Sequence, residues 1–462
     1  MNFTSSQLIE ISGALLVCFI GMLLCYRMPI RYLVGIIVVM MPFQFINTRF
    51  GSINIAIAFM FGFFLFIRKE LAVVPVKWAV ILLIFCVLLS FTQSHPAQNV
   101  SHMVYIGGFI SSIVVFLIVY NFVVQEEDPH YFFRLLVIMN ILVIGYSLLQ
   151  LKAGGKSYVD LGGLKISIVP ARGGGDNRLA GPFGVTMPGL YAEYLVLSNL
   201  VIAYLVTFAK NNRDKVLLLL LALCNLGCLV ATGNRGGLIG IVLFFALFLF
   251  VMRKVLGVGN TVKIMVISPV LFAAAALFII NFTSYDQLFT RLGGTEIEGG
   301  LPDTRARTWP AAFEYFQKSP VFGHGPRLRL QDDKVIRYPD HEVIDFPHNL
   351  YLYLLCTVGI VGLSAYVIFW LSIIGAIGNG TRGTTGDAFM DNFPKFSLLL
   401  VAYILFDQIK IEYTRYDSVD YAHFMFAMFG LFLGMSERKQ RLVEQNRLSQ
   451  VSWHRNLEAE AP

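Results

Sequence analysis

Apolar residues along this chain come in runs of about twenty, not in the alternation of a half-buried strand or the one-sided stripe of a surface helix. A helix crosses a bilayer with roughly 20 apolar residues, within a range of about 17–25. Runs of this kind fall at 8–26, 30–47, 52–68, 75–92, 103–124, 131–151, 186–208, 215–232, 236–252, 263–281, 349–378, 395–411 and 418–436. They predict an all-α integral membrane protein, a polytopic bundle of about 12–14 transmembrane helices. Two long polar stretches interrupt them. The expected organisation is N-terminal transmembrane helices over 1–151, a first long loop at 152–185, and central helices over 186–281. A large loop follows at 282–348, then C-terminal helices over 349–436 and a tail at 437–462.

Composition agrees with the pattern. The chain is 56% hydrophobic and 14% charged, against about 25% charged for a soluble domain. The first run lacks a basic leader and a small-residue cleavage site, and Glu10 lies in its first turn, so it is expected to remain as a helix. All six cysteines sit in apolar runs, which argues against a disulfide-stapled external domain. Cys224 and Cys228 stand at i,i+4 without a nearby His or acid, and read as free thiols packed between helices.

The distribution of charge orients the chain. With the tail inside, the inner loops carry Arg27, Arg31, Arg68, Lys69, Lys77, Lys210, Arg213, Lys215, Arg253, Lys254, Lys263 and Arg382. The short outer loops carry only Arg49, Arg235, Lys410 and Arg415. This asymmetry places the tail in the cytoplasm, the N-terminus outside and both long loops on the outer face. The acidic loop Glu126-Glu127-Asp128 is the one exception. No recognisable nucleic-acid module accompanies the basic residues. No Walker-type loop occurs, and Gly173-Gly174-Gly175 precedes no strand–helix unit.

Polar residues at the outer face are the candidates for chemistry. Arg235 lies in Thr232-Gly233-Asn234-Arg235-Gly236-Gly237, at the start of an apolar helix. A cation there opposes the helix dipole unless an anion bridges guanidinium and helix N–H groups; the plainer alternative is an arginine snorkelling to headgroups. Arg178 precedes the seventh run, and reads otherwise as a solvated loop residue. Within the large loop, Pro302 to Ser319 reads as an amphipathic helix capped by Asp303 or Thr304. It carries Arg305, Arg307 and Trp309, and Pro310 either kinks it or marks its first turn. His348, in Asp345-Phe346-Pro347-His348-Asn349, stands where a helix meets water and can exchange protons with a polar substrate. His324 in a Gly-His-Gly turn reads as incidental. His324, His341 and His348 lack the spacing of a metal motif. Glu193 and Asp407, charges within apolar runs, pair with an arginine or line a cavity.

The pattern Arg305-x-x-x-Trp309, Ser319-Pro320-Val321-Phe322-Gly323-His324-Gly325 and His348-Asn349-x-Tyr351-Leu352, with Gly359 and Gly362 following, resembles the O-antigen ligase and O-antigen polymerase superfamily. Arg178-x-x-Gly181-x-Phe183 and Asn234-Arg235-Gly236-Gly237 resemble two further motifs of these membrane glycosyltransferases. The resemblance covers roughly 178–365; an odd helix count departs from the family's usual 12 spans. It implies a metal-independent, inverting glycosyltransferase in the bacterial inner membrane, needing no cofactor. It takes a glycan from undecaprenyl diphosphate at the periplasmic face. In this resemblance His348 is the general base, and Arg178, Arg235 and Arg305 handle the diphosphate. Arg307, Trp309, Asn349 and Glu193 are supporting candidates.

The expected function is polymerisation of surface polysaccharide repeat units, O-antigen or exopolysaccharide. The main alternative is a ligase passing the glycan to lipid A–core. Two extended outer loops and the basic set Arg305, Arg307, Arg327 and Arg329 suit two anionic substrates and tip the balance towards a polymerase. The partners implied are the lipid-linked donor, a glycan or lipid A–core acceptor, membrane lipids, and the flippase and chain-length regulator of the same pathway; no nucleic acid is among them. A transporter or flippase for lipid-linked sugars would show repeated halves and broken helices; neither is legible here. A non-catalytic assembly partner would tolerate loss of His348.

Overall fold

The computed structural model describes residues 25–43, 47–48, 51–71, 74–94, 99–153, 158–161, 164–167, 178–183, 188–282, 297–298, 301–302, 304–326, 347–410 and 419–460. The first apolar run lies almost wholly outside them. From there on the described residues are mostly helical: α1 Ile30–Met40, α2 Ile53–Ile67, α3 Lys77–Ser90, α4 Asn99–Gln125, α5 Tyr131–Ala153, α6 Pro188–Phe208 and α7 Asn212–Ala231. There follow α8 Arg235–Leu256, α9 Val258–Phe282, α10 Thr304–Lys318, α11 Leu350–Gly380, α12 Ala388–Asp407 and α13 Val419–Glu460. Two-stranded hairpins, the longest pairing Tyr158–Leu161 with Leu164–Ser167, decorate the connections. Among the described residues, seven helices are long and apolar enough to cross a membrane, and four more are shorter apolar helices. This is a polytopic membrane bundle.

Helix ends follow capping chemistry. Side-chain oxygens of Ser52, Asn234, Asn349 and Asp387 accept backbone N–H groups in the first turns of α2, α8, α11 and α12, which satisfies donors that a helix start leaves open. Pro310 sits inside α10, and α13 continues without interruption through the segment read as a tail. The second apolar run is helical only as far as Met40. At the centre α13 lies closely against α4: a Cβ on Gly430 would sit 2.7 Å from the Phe116 carbonyl oxygen, and one on Gly434 would sit 2.8 Å from Val123 Cβ. Small residues four apart are how apolar helices approach this closely.

Arg438 of α13 donates to the backbone carbonyls of Glu126 and Glu127, and Arg134 pairs with Asp128 at 2.5 Å. The acidic loop that broke the charge asymmetry is therefore held by arginines. Burial works against the Asp128 charge, but the His130 N–H at 2.8 Å and Arg134 more than offset it and hold this carboxyl below its ordinary range.

A further element differs from the sequence reading. No broken helix was legible, yet α11 is interrupted at Gly359, where φ is 67° and ψ is −169°, a region open essentially to glycine alone. The break would strand the carbonyls of Cys356 and Thr357 and the N–H groups of Ile360 and Val361. The turn after α10 takes up all four: His324 N–H donates to Cys356 O (2.9 Å), Gly325 N–H to Thr357 O (3.1 Å), Ile360 N–H to Pro320 O (2.9 Å) and Val361 N–H to Val321 O (3.3 Å). Two helical hydrogen bonds are thus exchanged for four between segments, as a buried backbone requires. The fit leaves room for nothing larger than glycine: a Cβ on Gly323 would lie 2.3 Å from Thr357 O, and one on Gly359 2.2 Å from Val321 O. Two of the sequence motifs are thereby the two halves of one joint.

Candidate functional site

The candidate residues gather at one end of the bundle. The segment 178–183 leads into α6 and is pinned by Gln150 of α5, whose Oε1 accepts the Gly181 N–H at 2.9 Å while its Nε2 donates to Gly181 O at 3.3 Å. Phe183, fully buried, packs on Tyr194, Tyr421 and Phe424. So held, Leu179 N–H donates to Ala231 O at 3.0 Å, and Arg178 Nε donates to Thr232 O at 2.8 Å. Arg178 is thus tied to the turn that opens on Arg235.

That turn starts α8. Asn234 caps it, its Oδ1 accepting Gly237 N–H at 2.8 Å, and Arg235 is the first helical residue. The glycines beside it make space. A Cβ on Gly237 would lie 3.0 Å from Ala192 Cβ of α6, and one on Gly236 would lie 2.8 Å from Cδ and 3.0 Å from Nζ of Lys410. Lys410 Nζ pairs with Glu193 Oε1 at 3.1 Å and also with Asp407, while the Tyr403 hydroxyl donates to Glu193 Oε2. Burial opposes the Lys410 charge, yet Glu193 and Asp407 outweigh it and raise its pKa above the ordinary 10.5. The buried acids therefore pair with a lysine, not an arginine. The backbone carbonyl of Lys410 in turn accepts from Arg305 Nη2 at 3.4 Å.

His348 stands beside this cluster with an unusual backbone. Its φ is 50°, the left-handed region that costs a residue with a Cβ about 1–2 kcal/mol. Both flanks are fastened. Trp309 Nε1 donates to Pro347 O at 3.0 Å and Thr308 Oγ1 to the same oxygen at 3.5 Å. On the other side, Leu350 N–H donates to Gln408 O at 2.8 Å, and Asn349 Oδ1 accepts from Tyr351 N–H (3.0 Å) and Leu352 N–H (3.2 Å). Pro347, Asn349 and Leu350 are buried while His348 is exposed. The turn thus presents the imidazole outward from a fixed base.

Arg178, Arg235, Arg305 and His348 are accordingly linked through one set of helix ends: α7–α8, α10, the start of α11 and the end of α12. Glu193 lies buried just inside. Asn349 acts as a helix cap and Trp309 as a backbone clamp. Arg307 falls in α10, its side chain outside the described residues. His324 stacks on Tyr315 at 3.9 Å and bonds Tyr315 O at 2.9 Å, so it holds the turn to α10. Sequence reasoning missed Lys410, Thr308, Gln408 and Gln150. Only Lys410 carried a signal, its i,i+3 spacing from Asp407. Among the described residues no three His, Cys, Asp or Glu side chains could share a metal ion; His341 and Asp345 lie outside them.

Fold and site together define a polytopic membrane protein with arginines and an outward histidine at one end of the bundle. Residues 217–367 match the model of the O-antigen ligase family, a stretch that contains Arg235, Arg305 and His348. The matched stretch, about a third of the chain, is similar to that family. No curated protein matches the chain. One solved structure, described as "Structural coordination of polymerization and crosslinking by a peptidoglycan synthase complex", aligns over 79% of this chain and 97% of its own at 16% identity and a TM-score of 0.37. That likeness is too slight to bear on fold or function.

Proposed function

We propose that the protein is an inner-membrane glycosyltransferase that moves a glycan from undecaprenyl diphosphate to an acceptor sugar hydroxyl at the periplasmic face, polymerising surface polysaccharide repeat units. The observation that carries this reading is the meeting of Arg178, Arg235 and Arg305 with His348 at one end of the bundle. The acceptor oxygen attacks the anomeric carbon from the face opposite the diphosphate. The bond to the diphosphate oxygen breaks with its electron pair, so configuration inverts. The acceptor proton passes to a neutral His348 imidazole. Charge on the leaving diphosphate rises as the bond breaks. Arginines fixed beforehand stabilise it more in the transition state than in the ground state, in place of a metal.

A strained residue such as His348 persists where its surroundings over-determine it, and such residues cluster at functional sites. Ligation of the glycan to lipid A–core is the second reading, favoured by the description of the family that matches residues 217–367. A carrier for lipid-linked sugars would use a helix break as its substrate site; here the break at Gly359 is taken up by the turn 319–325. The experiment is a reaction of the purified protein in lipid with a synthetic undecaprenyl-diphosphate repeat unit, without metal or nucleotide, and with or without lipid A–core. Oligomers from the repeat unit alone mark a polymerase. Product only with lipid A–core marks a ligase, and no product in either arm overturns the transferase reading.

A further inference from the structure

We propose that Lys410 is a positioning residue of the diphosphate site, setting the spacing between Arg235 and Arg305. The inference rests on the transferase reading above. Lys410 touches both arginine-bearing elements. Its side chain fills the space left by Gly236 in the first turn of α8, with Nζ 3.0 Å from where a Cβ would stand. Its backbone carbonyl receives Arg305 Nη2 of α10. The two contacts lie at opposite ends of one residue, so the conformation of Lys410 fixes how far apart the two elements are held.

A lysine stem is flexible and by itself positions nothing. Here it is immobilised. The ammonium donates to Glu193 of α6 at 3.1 Å and forms an ion pair with Asp407 of α12. Glu193 is in turn held by the Tyr403 hydroxyl, and Tyr403 packs against Gly240 of α8, where a Cβ would lie 3.0 Å from its ring. Three helices are thus tied to one ammonium group beneath the Arg235 turn. Since the lysine stays charged, the anchorage does not depend on substrate. Removing the ammonium leaves Glu193 and Asp407 facing each other, and the end of α12, with the carbonyl that holds Arg305, is released from α8.

The test compares wild type, Lys410→Met and Lys410→Arg for the folded fraction, for KM of the undecaprenyl-diphosphate donor and of the acceptor, and for the pH dependence of kcat. Lys410→Arg restores the charge but sets a wider planar head group against Gly236. Misplacement on this scale costs on the order of 10–100-fold, and we expect it in the donor KM of both variants, with acceptor KM and pH profile unchanged. Should Lys410→Met fail to fold, the arginine variant carries the test. Full recovery of donor KM in Lys410→Arg, or a loss shared equally by donor and acceptor, makes the role structural and overturns the inference. Wild type active with both variants unaltered overturns it alone. Wild type inactive on the lipid diphosphate overturns the transferase reading, and this inference with it.

Discussion

The indole N–H of Trp309 donates to the carbonyl oxygen of Pro347 at 3.0 Å. It thereby fastens the peptide immediately before His348, whose own φ is 50°. A neutral hydrogen bond of this kind contributes about 0.5–1.5 kcal/mol net. Its chemical consequence is larger, because a relaxed turn no longer aims the imidazole. Trp309→Phe keeps the bulk and loses the donor. Its thermal stability should stay close to wild type while kcat falls on the order of 10-fold or more, as read by transferase kinetics beside a melting curve.

The joint between Gly323 and Gly359 makes a second prediction. Gly359→Ala adds a Cβ that would stand 2.2 Å from Val321 O, in a backbone region closed to alanine. The cost of that sparsely populated backbone region, about 1–3 kcal/mol, is joined by displacement of the 319–325 turn. Thermal unfolding in detergent should show a loss of at least ~2 kcal/mol. A small substitution elsewhere on the lipid face of α11, such as Leu371→Ala, should cost much less, because Leu371 is 62% exposed.

Much of this architecture was legible in the sequence. From residue 30 onward each apolar run overlaps a helix, because in a bilayer only a helix satisfies its own backbone, although the run at 30–47 is helical only to Met40 and the helix begun at Val419 continues to Glu460. The positions that escaped did so for physical reasons. Gly359 in an apolar run looks like a packing glycine, and nothing local says that a distant turn will replace its hydrogen bonds. The Glu193–Lys410 pair joins residues far apart in the chain, so only Asp407, one turn from Lys410, offered a clue. Thr308 and Gln408 act through contacts that only the fold creates. The arginines and His348 stood out because charges and an imidazole at the ends of apolar runs want explaining; that they meet at one end is what the fold adds.

Each arginine should contribute separately to donor handling. Arg178→Ala, Arg235→Ala and Arg305→Ala should each lower kcat on the order of 100–1,000-fold, the usual effect of removing one donor to a developing anion. Lysine at these positions should restore only part of the rate, since an ammonium lacks the planar fork that matches a diphosphate. Equal activity in all three lysine variants would speak against bidentate contact.

Lys410 also fixes the sign of one pH effect. Its pKa is raised in the fold above 10.5 by Glu193 and Asp407, against the opposing effect of burial. The stability it supplies is therefore fully present below that ordinary value and is lost only as pH rises through the raised one. The melting-temperature gap between wild type and Lys410→Met should be the same at pH 7 and pH 9. A gap that narrows by pH 9 would mean the lysine is not held charged.

Orientation is checked separately. The charge asymmetry predicts a cytoplasmic α13 tail, with the 126–127 carbonyls, which Arg438 of α13 binds, on the same side. A fluorescent protein fused after Pro462 should therefore fluoresce, and a cysteine placed in the 152–185 loop should react with a membrane-impermeant thiol reagent in intact cells.

The most direct measurement is transfer from a synthetic undecaprenyl-diphosphate glycan by wild type and His348→Ala, side by side in lipid without metal, following release of undecaprenyl diphosphate. A positioned general base contributes roughly 100- to 10,000-fold, so the variant should be slower by at least the lower figure while remaining folded and binding donor. A folded His348→Ala that turns over at the wild-type rate would contradict the account.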